Sequence, residues 1–481
     1  MARSNQESDF AFHKRTRRRE RRREGIGVLL SFRVANHLSI HAEQQLALTP
    51  VYDAGVSDGT ELRCVPVAAV FGPNAAGKSN LVDALRWMAR MVRGSHDAAV
   101  PGGGVERTPF VLDPTGIAEP SWYVADLGLG GVRYTYGFSV DGHGVREEWL
   151  FSYPLGRKRV VFQRTNDGIK LGSDVGARER ELFSLIEDIT APNVLLLSVA
   201  ARSRQDAVLP VFNWFTTQLR FMTHVSALTT MRRLAEGDTH DRVVSLLREA
   251  DLGIEDVVLE RSEESAHAER LLAQTEQELR RAVASDAESE AIHNLRKAVR
   301  DAQLLHTRAR QRDRVHFIQK SRAGEVKLPL AVQSAGTQAL FRYAGPLLSV
   351  LDSGGVMVVD EIDASLHPLI TAHIVKLFRS QSTNPCGAQL LLTTHDATLL
   401  GKLGGEDVLE RDQVWFVEKD EAGATTLFPL SDFRPRKDEN RERRYLGGSY
   451  GAVPFVSDER FEAAVAVRGG CGDGTPEEAV R

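Results

Sequence analysis

Gly72-Pro73-Asn74-Ala75-Ala76-Gly77-Lys78-Ser79 is the stretch on which the reading of this chain turns. Before it, Val65 to Phe71 is a short apolar run of the kind found in a buried strand. After it, Leu81, Val82, Leu85 and Met88 fall on one helical face. The loop is thus placed between a strand and a helix. In that context glycine-rich backbone curls around phosphate and turns its N–H groups and the helix N-terminus toward the anion. Gly72, Pro73, Asn74, Ala75, Ala76, Gly77 and Asn80 then surround the phosphates, and Lys78 reaches the outer two of a nucleoside triphosphate. The Ser79 hydroxyl is a ligand for Mg2+.

Three downstream stretches fit the same chemistry. Val356-Met357-Val358-Val359 reads as a buried strand ending in Asp360-Glu361. Adjacent carboxylates repel unless one is neutralised; Mg2+ on Asp360 does that and leaves Glu361 to orient, or take a proton from, an attacking water. Leu391-Leu392-Thr393-Thr394 is a second apolar run, ending in His395. A lone histidine is more often structural. At the carboxyl edge of a strand, however, where ligands bind in open α/β sheets, it is placed to contact a γ-phosphate. Ser334-Ala335-Gly336-Thr337-Gln338 precedes a helical pattern with Leu340, Phe341 and Tyr343. Two readings stand: Ser334 as a plain helix cap, or Ser334, Gly336 and Thr337 as a helix N-terminus gripping a γ-phosphate held by a second subunit.

Composition sets the bounds. The 481 residues are 42% hydrophobic and 26% charged, with a formal net charge of −4, so any nucleic-acid contact has to come from a local patch. Cys64, Cys386 and Cys471 are too few and scattered for a disulfide framework or a zinc site, which suits a reducing cytoplasm. No apolar run approaches the ~20 residues that cross a bilayer, and no apolar secretion signal opens the chain. The expected location is cytoplasmic, away from membranes.

The pattern divides the chain into five spans. Residues 1–27 carry KRTRRRERRR at 14–23. That block reads either as a disordered arm for nucleic acid or as lying outside the working protein, whose strand pattern starts at Val28. Residues 28–177 form the first half of an α/β head. Within it Tyr134, Tyr136, Phe138 and Val140 alternate with Arg133, Thr135, Gly137 and Ser139, with turns at Gly130-Gly131, Asp141-Gly142 and Asn166-Asp167-Gly168, which predicts an antiparallel meander. Residues 178–327 read as a helical lobe. Its stretch 259–314, rich in Ala, Glu, Arg and Gln and without Pro or Gly, predicts a short helical hairpin or a charged helix pair. Residues 328–460 return to α/β texture, and 461–481 read as a disordered tail.

Taken together, the motifs resemble those of the ABC-type ATPases in the branch of RecF, SMC and OLD proteins. Residues 72–79 match the Walker A loop, 334–338 the signature, 356–361 Walker B, and His395 the switch histidine. Ile362-Asp363-Ala364-Ser365-Leu366-His367-Pro368 is similar to the stand-alone bacterial AAA or OLD-like ATPases, in which Asp363 falls on the D-loop at a dimer interface. LLSFRVANHLSI (29–40), VWFVEKD (414–420), PLSDFRPRKDEN (429–440) and YLGGSYGAVPF (445–455) look like the same family's own stretches. No glutamine is placed as the Q-loop residue, because Gln163 falls in mid-meander.

The resemblance implies a P-loop NTPase fold: an ABC-type ATPase head with the meander and an inserted helical lobe. It implies ATP and Mg2+ as cofactors, and a homodimer that completes the site. Family members of this kind act in phage defence or abortive infection, often beside a separate effector of the TOPRIM or RloB-like kind. The residues after the last α/β segment are read as too few for a TOPRIM nuclease half. The alternative is a RecF-like ATPase that clamps DNA in repair or sensing.

Overall fold

The structure, a computed structural model, describes all residues except 1–26, 53–61, 101, 223–226, 251–252, 286–288, 323, 365, 437–438, 455–456 and 467–481. A strand that is apolar at every position needs cover on both faces, and Val67–Phe71 is buried throughout. Val67, Ala69 and Phe71 enter one hydrophobic core, Ala68 and Val70 another. The strand lies inside a six-stranded sheet ordered Thr425–Pro429, Val414–Lys419, Val67–Phe71, Gln389–Thr394, Val356–Val359 and Leu219–Phe221. Neighbours are parallel from Val414–Lys419 to Leu219–Phe221, and Thr425–Pro429 joins antiparallel. The carboxyl ends therefore meet at one edge. The Gly72 loop, Asp360-Glu361 and His395 each follow one of these strands directly, so all three arrive there.

On one face, the helix Lys78–Ala98 is sandwiched between this sheet and a second, seven-stranded antiparallel sheet. Its order is Gln44–Ala47, Gly27–Ala35, Ser121–Leu129, Val132–Val140, Val145–Tyr153, Arg159–Thr165 and Gly168–Leu171. The meander read from alternation is present with its turns, and Gly130 and Gly131 take the positive φ values, 57° and 77°, that glycine permits. Thr135 and Ser139, on the polar half of the alternation, are also buried. Thr135 sits there because Asp126, itself buried, accepts from its hydroxyl at 2.5 Å and from the Ser31 hydroxyl at 2.7 Å. Gln163 pairs in mid-strand with Trp149 and Lys170.

On the other face, the helices Ala335–Ser353 and Pro368–Arg379 share a core with Leu228–Ala235 and Gly237–Ala250. From this lobe a three-stranded sheet, Ile254–Glu260, Arg314–Ser321 and Gly324–Pro329, leads into a helical pair, Glu263–Ala284 and Ser289–Ala309. Asp313 fixes its root, accepting from the Ser262 amide at 2.9 Å and the Ser265 hydroxyl at 3.1 Å. The architecture is an α/β P-loop NTPase with an antiparallel sheet and an inserted helical hairpin.

Three boundaries differ from the sequence reading. The span 178–327 is not wholly helical: Leu219–Phe221 forms the edge of the central sheet, and three further strands root the hairpin. A three-residue strand containing Arg220 has too little periodicity to register. Gly27 belongs to the head, since it opens the first strand and its amide donates to Gln218 Oε1 at 2.7 Å. The helix Asp458–Ala466 runs into the span read as a disordered tail. The arm 1–26 and the residues 467–481 lie outside the described residues. No helix among the described residues is long and apolar enough to cross a membrane.

One buried carboxylate ties the meander to the helices beside it. Glu148 is fully buried on the strand Val145–Tyr153. It accepts from the amides of Leu196 (2.6 Å) and Leu197 (2.9 Å) and from the Tyr136 hydroxyl (3.0 Å). It thereby caps the helix Leu196–Arg202, which has no side-chain cap of its own. Burial pushes its pKa up, against the pull of Arg164 and of these donors. Glu148→Ala strands three buried donors, and an equilibrium-denaturation measurement is expected to find a loss of about 3 kcal/mol. Glu148→Gln keeps part of the cap and is expected to lose about half as much.

Candidate active site

The phosphate loop owes its shape to two glycines. A Cβ on Gly72 would lie 2.5 Å from the Val417 carbonyl oxygen. Gly77 adopts φ 107°, and a Cβ there would collide with the Thr425 hydroxyl. Ala75 is also left-handed, at φ 64°. The helix Lys78–Ala98 begins directly at Gly77, with no side-chain cap and no acid in its first turn. Its N-terminal N–H groups and dipole are thus open to an anion.

Asn74 to Asn80, together with Glu361 and His395, line a cavity of about 310 Å³ at this helix end. Lys78 is only 4% exposed. Its ammonium donates to the carbonyls of Gly72 (2.8 Å) and Pro73 (3.0 Å) and to His395 Nδ1 (3.3 Å). Because Nδ1 accepts, the proton of a neutral imidazole resides on Nε2. Burial lowers the Lys78 pKa, opposed by the carboxylates of Glu361, Asp363 and Asp360. The charged form is thus held in a partly desolvated place by three acids, where a phosphate would be drawn strongly.

Asp360 stands beside the loop. Its Oδ1 accepts from the Ser79 hydroxyl at 3.2 Å and from the buried Thr393 hydroxyl at 2.5 Å. A hydroxyl next to a carboxylate is a hard oxygen pair of the kind Mg2+ takes, so Ser79 and Asp360 could hold that ion between them. Thr393 also accepts the Glu361 amide at 2.8 Å. Glu361 is exposed, with φ 49°, a left-handed conformation that costs a non-glycine residue about 1–2 kcal/mol. One threonine therefore orients both acids. Asp363 Oδ2 accepts the His395 amide at 3.2 Å, joining the turn after the acid pair to the histidine.

Every residue of the phosphate loop, both acids, Asp363 and His395 come together at this edge. Ser334, Gly336 and Thr337 are not among the residues lining the cavity. Ser334 caps the helix Ala335–Ser353, accepting from the Thr337 amide at 3.1 Å, as the plainer reading required. It is nonetheless exposed, as is Ala335. Sequence reasoning missed Thr393 as a positioning group, and Ser39 and Thr425 altogether. The Ser39 hydroxyl lies 2.6 Å from the Thr425 hydroxyl and accepts from the Asn80 amide group at 2.5 Å, while Thr425 donates to the Ala76 carbonyl at 2.8 Å. Ser39 and Thr425 are 386 residues apart, and no spacing rule could have paired them.

A family model described as "AAA domain, putative AbiEii toxin, Type IV TA system" matches residues 67–401, more than half of the chain. Among solved structures, the chain is similar to the SMC head domain from Thermotoga maritima, with 13% identity, a TM-score of 0.35, and 83% of this chain and 98% of that one covered. It is also similar to the Smc head domain with an extended coiled coil bound to the C-terminal domain of ScpA from Pyrococcus furiosus, with 12% identity, a TM-score of 0.37, and 85% and 98% covered. No curated protein sequence matches the chain.

Thr393→Val tests the shared hydroxyl. It keeps the side-chain shape while removing the group that bridges Asp360 and the Glu361 amide. Steady-state assays are expected to show ATP turnover reduced about tenfold, an activation cost of about 1.4 kcal/mol. Nucleotide affinity, read by equilibrium titration, is expected to stay within about twofold, because Lys78 and the loop amides are untouched.

Proposed function

The chain belongs to this AAA-domain family, and we propose that it is a Mg2+-dependent, ATP-hydrolysing switch that works as a head-to-tail dimer and controls a separate effector protein. The observation that carries this reading is an incomplete site. The loop, the acids and the histidine share one cavity, while the exposed signature helix end lies outside it. A second copy can supply that helix end, so that the ATP phosphates are closed between Lys78 of one subunit and Ser334, Gly336 and Thr337 of the other. The family description names a toxin of a toxin–antitoxin system, which supports a role in defence against phage.

In this reading the amides of Gly72 to Asn80 bind the phosphates. Lys78 exchanges the carbonyls of Gly72 and Pro73 for the β- and γ-phosphate oxygens. Ser79 and Asp360 would hold Mg2+, which would neutralise charge on the phosphates. Glu361 orients the attacking water and accepts its proton. His395, released by Lys78, turns toward the γ-phosphate, and Asp363 carries that state to the dimer interface through the His395 amide. In the same reading residues 27–177, the edge strand Leu219–Phe221 and residues 328–460 build one head, and the hairpin within 259–314 is an arm for coupling to a partner.

Two measurements test it. Glu361→Gln keeps the phosphate and metal contacts while losing the base, so it is expected to bind ATP, to turn over at least about a hundredfold more slowly, and to accumulate as an ATP-bound dimer in sizing experiments. An unchanged monomer fraction would remove the dimer mechanism. Lys78→Ala and Ser334→Arg subunits are each expected to be inactive alone. Mixed, they form one doubly damaged and one intact composite site, and restored turnover is the expected result. Confirmed heterodimers without activity would count against signature action in trans.

A further inference from the structure

The turn Asn36–Ile40, which follows the first strand, is bound to the rest of the head along its length. Asn36 and Leu38 both take left-handed φ values, 54° and 51°, a conformation that strains Leu38 in particular. Asn36 is buried; its side chain accepts the Phe110 amide at 2.9 Å and donates to the carbonyls of Gly116 (2.7 Å) and Glu119 (2.8 Å). His37, 1% exposed, lies 2.8 Å from the Tyr123 hydroxyl and 3.2 Å from Asp83 on the helix Lys78–Ala98. The Leu38 amide donates to the Thr108 carbonyl at 2.8 Å, and the Ser39 carbonyl accepts the Thr425 amide at 2.7 Å. Strain held from so many sides is a mark of a working part rather than of a plain connection.

Ser39 closes a ring of hydrogen bonds around the head of that helix. The one hydroxyl proton of Thr425 goes to the Ala76 carbonyl at 2.8 Å, so in the 2.6 Å contact between the two hydroxyls Ser39 is the donor. Ser39 Oγ in turn accepts from the Asn80 side-chain amide at 2.5 Å. The chain of bonds therefore runs one way, from Asn80 through Ser39 and Thr425 back to Ala76. Hydrogen bonds aligned like this strengthen one another. The ring brackets Gly77, Lys78 and Ser79, whose amides stand at the open helix end. A Cβ on Gly77 would collide with the Thr425 hydroxyl and lie 2.9 Å from that of Ser39, so the ring sits directly against the loop. Asp83, three residues beyond Asn80 and on the same helical side, gives the turn a second hold on the helix through His37.

We propose that Ser39 and Thr425 are positioning residues that set the affinity of the loop for nucleoside diphosphate and triphosphate alike, without acting on the chemical step. The inference rests on the ATP-switch reading and deepens it. The backbone N–H groups of such a loop cradle the α- and β-phosphates, which ADP and ATP share. Amides already fixed by the ring need no ordering when a nucleotide arrives. Loosening the ring therefore weakens both nucleotides to the same extent. Asp360 and Glu361 are oriented separately, by Thr393. A change in the ring thus removes binding common to ground state and transition state, and turnover at saturating ATP is kept.

The test is calorimetric titration of the full-length protein with ADP and with the non-hydrolysable analogue AMP-PNP, both with Mg2+, beside steady-state ATP turnover. Thr425→Val and Ser39→Ala are each expected to raise both dissociation constants about tenfold, while kcat at saturating ATP stays within about twofold of wild type. The double variant is expected to bind little more weakly than either single one, because the first change already breaks the chain. Thr425→Ser keeps the hydroxyl and is expected to restore wild-type affinity. Glu148→Gln, which loosens the fold away from the loop, is the control for a general loss of stability and is expected to bind like wild type. Should Thr425→Val fail to fold, Ser39→Ala, at a half-buried position, carries the same expectation. Ring variants that bind like a nucleotide-binding wild type overturn this proposal and leave the ATP-switch reading standing; a wild type that binds neither nucleotide overturns both. A fall in kcat at unchanged affinity, or a loss confined to AMP-PNP, overturns it in favour of action at the γ-phosphate. Equal weakening in Thr425→Ser or in Glu148→Gln also overturns it, since the hydroxyl chain would then not be the cause.

Discussion

An anion site made of backbone N–H groups works only if the backbone cannot turn away, and here that rigidity comes from a five-residue strand with no exposed position. Val67–Phe71 divides its side chains between two cores, and each large apolar residue so buried contributes about 1.5–3 kcal/mol. Parallel neighbours on both sides fix its register. The loop that follows is then braced by the Val417 carbonyl close to Gly72 and by Thr425 and Ser39 around Gly77. The left-handed geometry at Ala75, which strains a non-glycine residue, and at Gly77 is thus held from several directions at once.

The same edge concentrates opposing charges. Lys78 is buried among Glu361, Asp363 and Asp360, and its ammonium donates to the loop's own carbonyls and to His395. Those three acceptors satisfy the buried charge. The acids are held by strand ends rather than by flexible loops: Thr393, in the neighbouring strand, sets both Asp360 and the left-handed Glu361. Positioning by a rigid sheet is what allows two adjacent carboxylates to take different roles.

The helix Ala335–Ser353 connects two features. Its N-terminus carries the exposed Ser334 and Ala335, and its C-terminal turns carry Ser349 and Asp352, which bond Arg220, Arg233 and Arg242. At 1.5 Å per residue this helix spans about 28 Å, a rigid rod between the proposed dimer face and the sheet edge. Its neighbours Leu228–Ala235 and Gly237–Ala250 pack in the same core, and that lobe also roots the helical pair. A displacement of the signature end on dimerisation would be felt at both places.

Local sequence was sufficient for the elements whose signal is short in range. The glycine loop between an apolar run and a helical stripe, the acid pair and the histidine at strand ends, the meander with its glycine turns and the hairpin were all legible, because each depends on periodicity or on residues a few positions apart. Tertiary structure alone decided the rest. Leu219–Phe221 is a strand only because Val356–Val359 offers it an edge, and Thr135 is buried only because Asp126 accepts its hydroxyl. Ser39 reaches Thr425 across nearly the whole chain. Ser349 and Asp352 meet Arg220, Arg233 and Arg242, which come from a strand and two helices far earlier in the chain. Contacts between distant segments leave no periodicity in either, so one sequence can specify them fully while showing no local trace of them.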